Sequence, residues 1–229
     1  MTVAIMQPYL FPYIGYWQLI NAVDTFVIYD DVNFIKQGYI NRNSILSNGK
    51  SQVITMELIG ASSNKLINEI EVGNNRSKLS KTIKQNYVKA RYFEVVYPLI
   101  ENILNQNEKN LGKFIGYSLE QISNYLEINT KFIYSSDIEK DNALKTQDKV
   151  LEICNILKAD KYINAIGGQE LYNKEIFKEN GMELNFLKTE LVEYKQFKND
   201  FVPYLSIIDV LMFNSKDEIK EMLKRYELI

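Results

Sequence analysis

Histidine is absent from this chain of 229 residues. Its absence excludes a Ser-His-Asp triad, a Cys-His pair and an HExxH zinc site. General acid–base work falls to Asp, Glu, Lys or Tyr. Cysteine occurs once, as Cys154, which excludes a disulfide framework and a cysteine-based zinc site. Cys154 sits in an apolar helical segment, where a lone thiol is a small buried hydrophobe. No metal site is expected. Arginine is scarce, with four Arg beside 23 Lys. The 27 basic and 29 acidic residues nearly balance, so no field is built for nucleic acid or an acidic membrane. No apolar run approaches the roughly 20 residues of a membrane span. The first apolar run is short and has no basic residues before it, unlike a secretory signal. A soluble cytoplasmic protein is expected. The length and the 46% apolar content suit one large domain, or one domain with a sizeable insertion.

What is present is concentrated at the start. Val3-Ala4-Ile5-Met6 has the length of a buried strand, and Pro8 ends it. Pro12 suits the first position of a helix, here Pro12–Ala22. Tyr13, Tyr16, Trp17 and Ile20 share one face of that helix. A strand running straight into a helix N-terminus aims backbone N–H groups at one point, where α/β proteins hold anions.

Strands and helices then alternate. Thr25-Phe26-Val27-Ile28-Tyr29 is a second buried strand, ending in Asp30-Asp31. Asn33–Ile45 and Ser51–Leu58 flank Asn48-Gly49, a hairpin turn. Residues 76–127 are mostly helical. Strands at 131–134, 161–164 and 183–187 follow, with a helix over Gln147–Leu157. Two helices, near Leu205–Phe213 and Lys216–Tyr226, close the chain. Alternation of this kind implies parallel βαβ units. The expected fold is therefore α/β, a mainly parallel sheet flanked by helices. It forms one domain over 1–229, with a helical insertion around 60–128. Ligands in such folds bind beyond the carboxyl ends of the strands. Those ends carry Gln7, Asp30-Asp31, Ser135-Ser136-Asp137 and Asn164 to Gly168.

Five constellations carry candidate chemistry. Pro12-Tyr13-Ile14-Gly15-Tyr16 resembles the Pro-His-x-Gly-His opening of the HIGH-motif nucleotidylyl-transfer fold, with Tyr at both His positions. Tyr donates a hydrogen bond to phosphate but supplies no positive charge near neutral pH. The alternative is an aromatic helix start packed into the core. Asp30 and Asp31 point in different directions from a strand end, so one faces the crevice; either can orient an amine or act as a base. A plain acidic turn is the alternative. Arg42, between Asn41 and Asn43, has a planar fork suited to phosphate or carboxylate, or pairs with the acidic turn. Lys36 lies between the two. Lys78-Leu79-Ser80-Lys81-Thr82 resembles the KMSKS loop, but inside a basic periodic helix it reads as a solvated face. Gly167-Gly168 allows close backbone approach or a tight turn. Tyr194, Gln196, Ser206 and Asp209 either cap and pack the closing helix or face the site.

Taken together these segments are similar to the WbqC-like protein family over nearly the whole chain. The resemblance rests on Met6 to Tyr16, Ile28 to Phe34, Asn41-Arg42-Asn43, Tyr162 to Tyr172 and Phe201 to Asp209. It implies a place among bacterial O-antigen and surface-polysaccharide functions. The activity it implies is transfer of glycine, or another acyl group, onto an amino sugar. It brings no catalytic residues. The family pattern admits His after the first Asp of the pair, where this chain has Asp31.

The expected function is acyl or aminoacyl transfer or ligation onto a sugar-linked amine. The donor would be ATP-activated or an activated acyl compound, and the partner a nucleotide-linked sugar. Asp30 and Asp31 are the catalytic candidates. Gln7, Tyr9, Tyr13, Tyr16, Trp17, Lys36, Asn41, Arg42, Asn43, Gly167, Gly168, Tyr194, Gln196 and Asp209 are the binding candidates. The alternatives are a nucleotidylyl-transfer-like enzyme that activates a carboxylate with ATP, and a non-catalytic sugar-binding or scaffold protein of the same pathway.

Overall fold

The computed structural model describes residues 1–198 and 200–229. In chain order the elements are β1 (Thr2–Met6), α1 (Ile14–Asn21), β2 (Thr25–Ile28), β3 (Arg42–Ser47), β4 (Lys50–Thr55), β5 (Leu58–Ile59) and β6 (Glu71–Val72). Then come α2 (Arg76–Tyr87), α3 (Phe93–Asn105), α4 (Leu111–Leu126), β7 (Lys131–Tyr134), α5 (Thr146–Ile156), β8 (Lys161–Ala165) and α6 (Lys174–Glu179). The chain closes with β9 (Glu183–Thr189), α7 (Ile207–Phe213), α8 (Lys216–Met222) and β10 (Tyr226–Leu228).

Six strands form one sheet in the order β10-β9-β8-β1-β2-β7. Every pairing is parallel except β10 with β9. Side chains alternate across it with the two-residue period of a strand. Val3, Ile5, Val27, Tyr162 and Phe186 pack under α5 and α6, with Ile153, Cys154 and Phe177. Ala4, Phe26, Ile28, Ile163 and Leu187 face the other way, onto α1, the α2–α4 helices and α7–α8. The inserted helices thus share one apolar core with the sheet. Burial pushes the Cys154 thiol up to about 12, so the cysteine is inert packing.

The hairpin forms where Asn48-Gly49 places it. Both turn residues hold positive φ, 49° and 74°, as a tight two-residue loop requires. Other boundaries differ from the sequence expectation for visible reasons. α1 starts at Ile14 rather than Pro12, because the Pro12 carbonyl accepts from Ile207 N and Trp17 Nε1. The insertion is helical from Arg76; before it, β5 and β6 pair as a small antiparallel ladder. α8 stops at Met222, where buried Gln18 donates to the Met222 and Arg225 carbonyls. The chain then folds back as β10 along β9.

Candidate functional site

The parallel strands run outward from β1 in two directions, to β2 and β7 on one side and to β8 and β9 on the other. The order reverses between β1 and β8, and in open α/β sheets ligands bind at the carboxyl ends beside such a switch point. Gln7 follows β1 and Gly167 follows β8. A β-carbon on Gly167 would meet nothing within 4 Å, whereas Gly168 is pressed against Asn164 and Tyr172. Gly167 is therefore the open member of the pair.

Asp30 and Asp31 leave β2 on opposite faces. Asp30 is 2% exposed. Its carboxylate accepts from Ser136 N at 3.0 Å and Ser136 Oγ at 2.7 Å, with Asn68 Nδ2 at 3.5 Å. Its carbonyl accepts from Asn68 N. It thereby joins the sheet to the insertion and to the loop after β7. Asp31 points under α5. Its Oδ2 lies 2.7 Å from Lys140 Nζ and 3.2 Å from Lys149 Nζ. Burial raises its carboxyl, but the Lys140 hydrogen bond, the nearby Ser135 hydroxyl and the two ammonium charges hold it below the usual carboxylate range. Oδ1 is buried and has no aligned partner among the described residues. Lys149 also lies 5.3 Å from the centre of the Tyr29 ring. Burial, the Asp31 charge and nearby Tyr172 raise the Tyr29 phenol, so it stays a neutral donor.

The turn from Gln7 to Tyr13 is held by its neighbours. Asn43 Nδ2 donates to the Leu10 carbonyl at 3.0 Å and to the Phe11 carbonyl at 2.9 Å. Ser206 Oγ donates to the Phe11 carbonyl at 2.7 Å. Tyr16 OH donates to the Gln7 carbonyl at 2.8 Å. Trp17 is wholly buried. Tyr9 is the half-buried aromatic of this turn, with Tyr16 at 5.5 Å and exposed Tyr39 at 5.9 Å between ring centres. Burial, then Tyr39 and Tyr13, raise its phenol. Tyr13 is also half-buried and precedes α1 in extended backbone.

The Asn41-Arg42-Asn43 block builds scaffold. Asn41 Nδ2 donates to the Met56 carbonyl. Arg42 donates to the carbonyls of Gln37 and Gly38, shaping the loop that carries exposed Lys36. Tyr194, Gln196 and Asp209 meet elsewhere, around a fully buried carboxylate. Asp209 accepts from Tyr87 OH at 2.7 Å, Tyr194 OH at 2.7 Å and Gln196 Nε2 at 2.6 Å. Burial raises Asp209 although the three donors oppose it. The cluster welds α7 to α2 and to the stretch that carries Tyr194 and Gln196. Two surface depressions, of about 460 and 430 Å³, lie away from the carboxyl ends, one at the amino ends of β8 and β9 beside Asp160 and Lys178 and one between α4 and α8.

Sequence reasoning missed Lys140, Lys149, Tyr29 and Tyr87. Lys149 left one signal: it stands four residues before Ile153, on the stripe of α5 that is otherwise apolar. Among the described residues no group of three or more Cys, Asp or Glu side chains is placed to hold a metal ion. No described helix is long and apolar enough to cross a membrane.

The uncharacterized protein Rv1507c of Mycobacterium tuberculosis (strain ATCC 25618 / H37Rv) is 29% identical to this chain over 227 residues, which span 97% of each. No solved structure matches the chain. The model of the WbqC-like protein family matches residues 7–221. The chain, with its mostly parallel six-stranded sheet, therefore belongs to the WbqC-like protein family.

Proposed function

We propose that the protein transfers an acyl or aminoacyl group, glycyl in the simplest case, to a sugar-linked amine during bacterial surface-polysaccharide synthesis. One observation carries the site assignment: Asp31, an ionised carboxylate fixed by two lysines at the carboxyl end of β2. The substrate class comes from the family resemblance. In the reaction the amine nitrogen bonds to the acyl carbon, the bond from that carbon to its leaving group breaks, and the amine loses a proton.

A carboxylate held below its ordinary range is a weak proton acceptor near neutral pH. Asp31 therefore orients the amine and offsets the positive charge that grows on nitrogen. The proton leaves with solvent or the leaving group. Tyr9 and Tyr13, with Tyr39 beside them, offer neutral aromatic faces to a sugar or nucleobase. Gly167 lets a ligand approach the backbone at the crevice. Trp17, Asn43, Tyr194, Gln196 and Asp209 act through the scaffold.

A nucleotidylyl-transfer reading asks the two tyrosines of the opening motif to hold a triphosphate. The Tyr16 hydroxyl is already engaged by the Gln7 carbonyl, which favours transfer over adenylation by that motif. Incubation with a nucleotide-linked amino sugar, glycine and ATP, or with a charged acyl donor, separates the readings. Mass gain on the sugar without ATP supports transfer, and mass gain with AMP release supports ligation. Sugar binding with neither sinks both, leaving a non-catalytic binding protein.

A further inference from the structure

Lys140 and Lys149 approach the same carboxylate oxygen but are not equivalent. Lys140 Nζ has three acceptors: Asp31 Oδ2 at 2.7 Å, the Ser135 carbonyl, and the Ile138 carbonyl at 3.3 Å. An ammonium has three N–H donors, so Lys140 is saturated. Lys149 has two oxygen acceptors, both on Asp31, at 3.2 and 3.3 Å. Charge-assisted N–H···O bonds are normally about 2.7–2.9 Å. The Tyr29 ring centre lies 5.3 Å from the same Nζ. Yet the Lys149 side chain is 8% exposed and that of Lys140 2%.

Burying an ammonium without full compensation is unfavourable, so a buried lysine with two long contacts is suited to a further anionic acceptor. Asp31 supplies one negative charge to two positive ones. Asp30 does not redress this, because its oxygens are occupied by Ser136 and Asn68 on the other face of the sheet.

We propose that Lys149 is the cation that receives the anionic group of the bound ligand, a phosphate or a carboxylate, with Tyr29 as the adjacent neutral donor. The role given by sequence to Arg42 and Lys36 passes to a helix on the far side of Asp31. Arg42 is engaged by the Gln37 and Gly38 carbonyls. The proposal rests on the strand ends being the site, and not on which reaction runs there.

The test is calorimetric titration of the intact protein with pyrophosphate in one arm and acetate in the other. Wild type is expected to bind one of the two in the millimolar range or tighter. Lys149→Met weakens that binding by about tenfold or more. Lys149→Arg restores most of it, and Lys50→Met, at the exposed start of β4, leaves it unchanged. The arm that responds names the phosphate or carboxylate source. In the wild-type protein the same anion should slow chemical acetylation of Lys149 relative to Lys50, which keeps the test valid if the Met variant misfolds. Wild-type affinity in folded Lys149→Met, failure of both anions to bind, or unprotected Lys149 overturns the proposal. Anion binding without acylation of any amino sugar leaves this subsite standing and removes the transfer reading. Full acyl transfer by Lys149→Met does the reverse.

Discussion

Asp30 and Asp31 are neighbours in the chain, yet their carboxylates lie on opposite faces of the sheet. Asp30 accepts from Ser136 Oγ at 2.7 Å, and Asp31 from Lys140 Nζ at 2.7 Å. The period of two that sorts Phe26 and Ile28 from Val27 continues past the end of β2 and separates the pair. One acid is surrounded by neutral donors at a junction of elements. The other holds two cations at the carboxyl end of β2.

The two acids should fail differently. Asp30→Ala strands the Ser136 donors and is expected to lower stability by about 1.5–3 kcal/mol, the range for hydrogen bonds to a charged group. Asp31→Ala leaves two buried lysines without a counter-ion and is expected to lower it by about 3–5 kcal/mol. Urea unfolding of both variants, read by tyrosine and tryptophan fluorescence, checks the order. Equal losses would remove the distinction.

Acid sensitivity follows from Asp31. Its native pKa is below the ordinary 3.8, so the unfolded chain binds the extra proton first as pH falls. The stabilisation is complete above that ordinary value and is lost as pH drops through the lower native one. Asp209 has the opposite sign. Its native pKa is raised, so the native state holds the proton longer, and stability falls as pH rises through that window. Urea midpoints across the acid range should lose part of their low-pH decline in Asp31→Asn. An unchanged profile would contradict the Asp31 assignment.

The alternating architecture was legible because it is local. Val3–Met6 and Thr25–Ile28 are apolar runs of strand length, and Asn48-Gly49 is a turn with its own backbone chemistry. The polar strand ends were legible for the same reason: topology places them. Partners distant in sequence were not. Lys149 sits 118 residues from Asp31, and nothing local to α5 names that contact. Arg42 reads in sequence as an anion clamp or a partner of the acidic turn, but its acceptors are the backbone carbonyls of Gln37 and Gly38, which no residue type reveals. β10 was hidden behind the helical pattern of Lys216–Tyr226, and only the carbonyls taken by Gln18 end that helix.

The opening turn depends on Asn43. Phe11 holds φ at 42°, a strained value for a bulky residue, and Asn43 and Ser206 together take its carbonyl. Asn43→Ala removes two buried hydrogen bonds and is expected to lower stability by about 2–3 kcal/mol. Ligand binding should fall with it, since the Tyr9 wall moves. Unchanged amide spectra at residues 9–13 would contradict this.

Gly116 tests the packing of the insertion on the sheet. A β-carbon there would overlap the Tyr134 hydroxyl. Helix propensity alone favours Gly→Ala by about 1 kcal/mol, whereas overpacking costs about 1–3 kcal/mol. Gly116→Ala in α4 is therefore expected to destabilise, and Gly116→Ala with Tyr134→Phe to recover part of the loss. Thermal unfolding midpoints of the single and double variants decide it.

Lys140 and Lys149 fix Asp31 at the end of β2, and the proposed acyl transfer requires it there. The direct measurement is mass spectrometry of a nucleotide-linked amino sugar incubated with acyl donor and either wild type or Asp31→Asn, with folding of the variant checked by near-ultraviolet circular dichroism. Acylated sugar is expected with wild type, and a loss of rate of about a hundredfold or more in folded Asp31→Asn. Undiminished acylation by the variant, or sugar bound by wild type but never acylated, would contradict it.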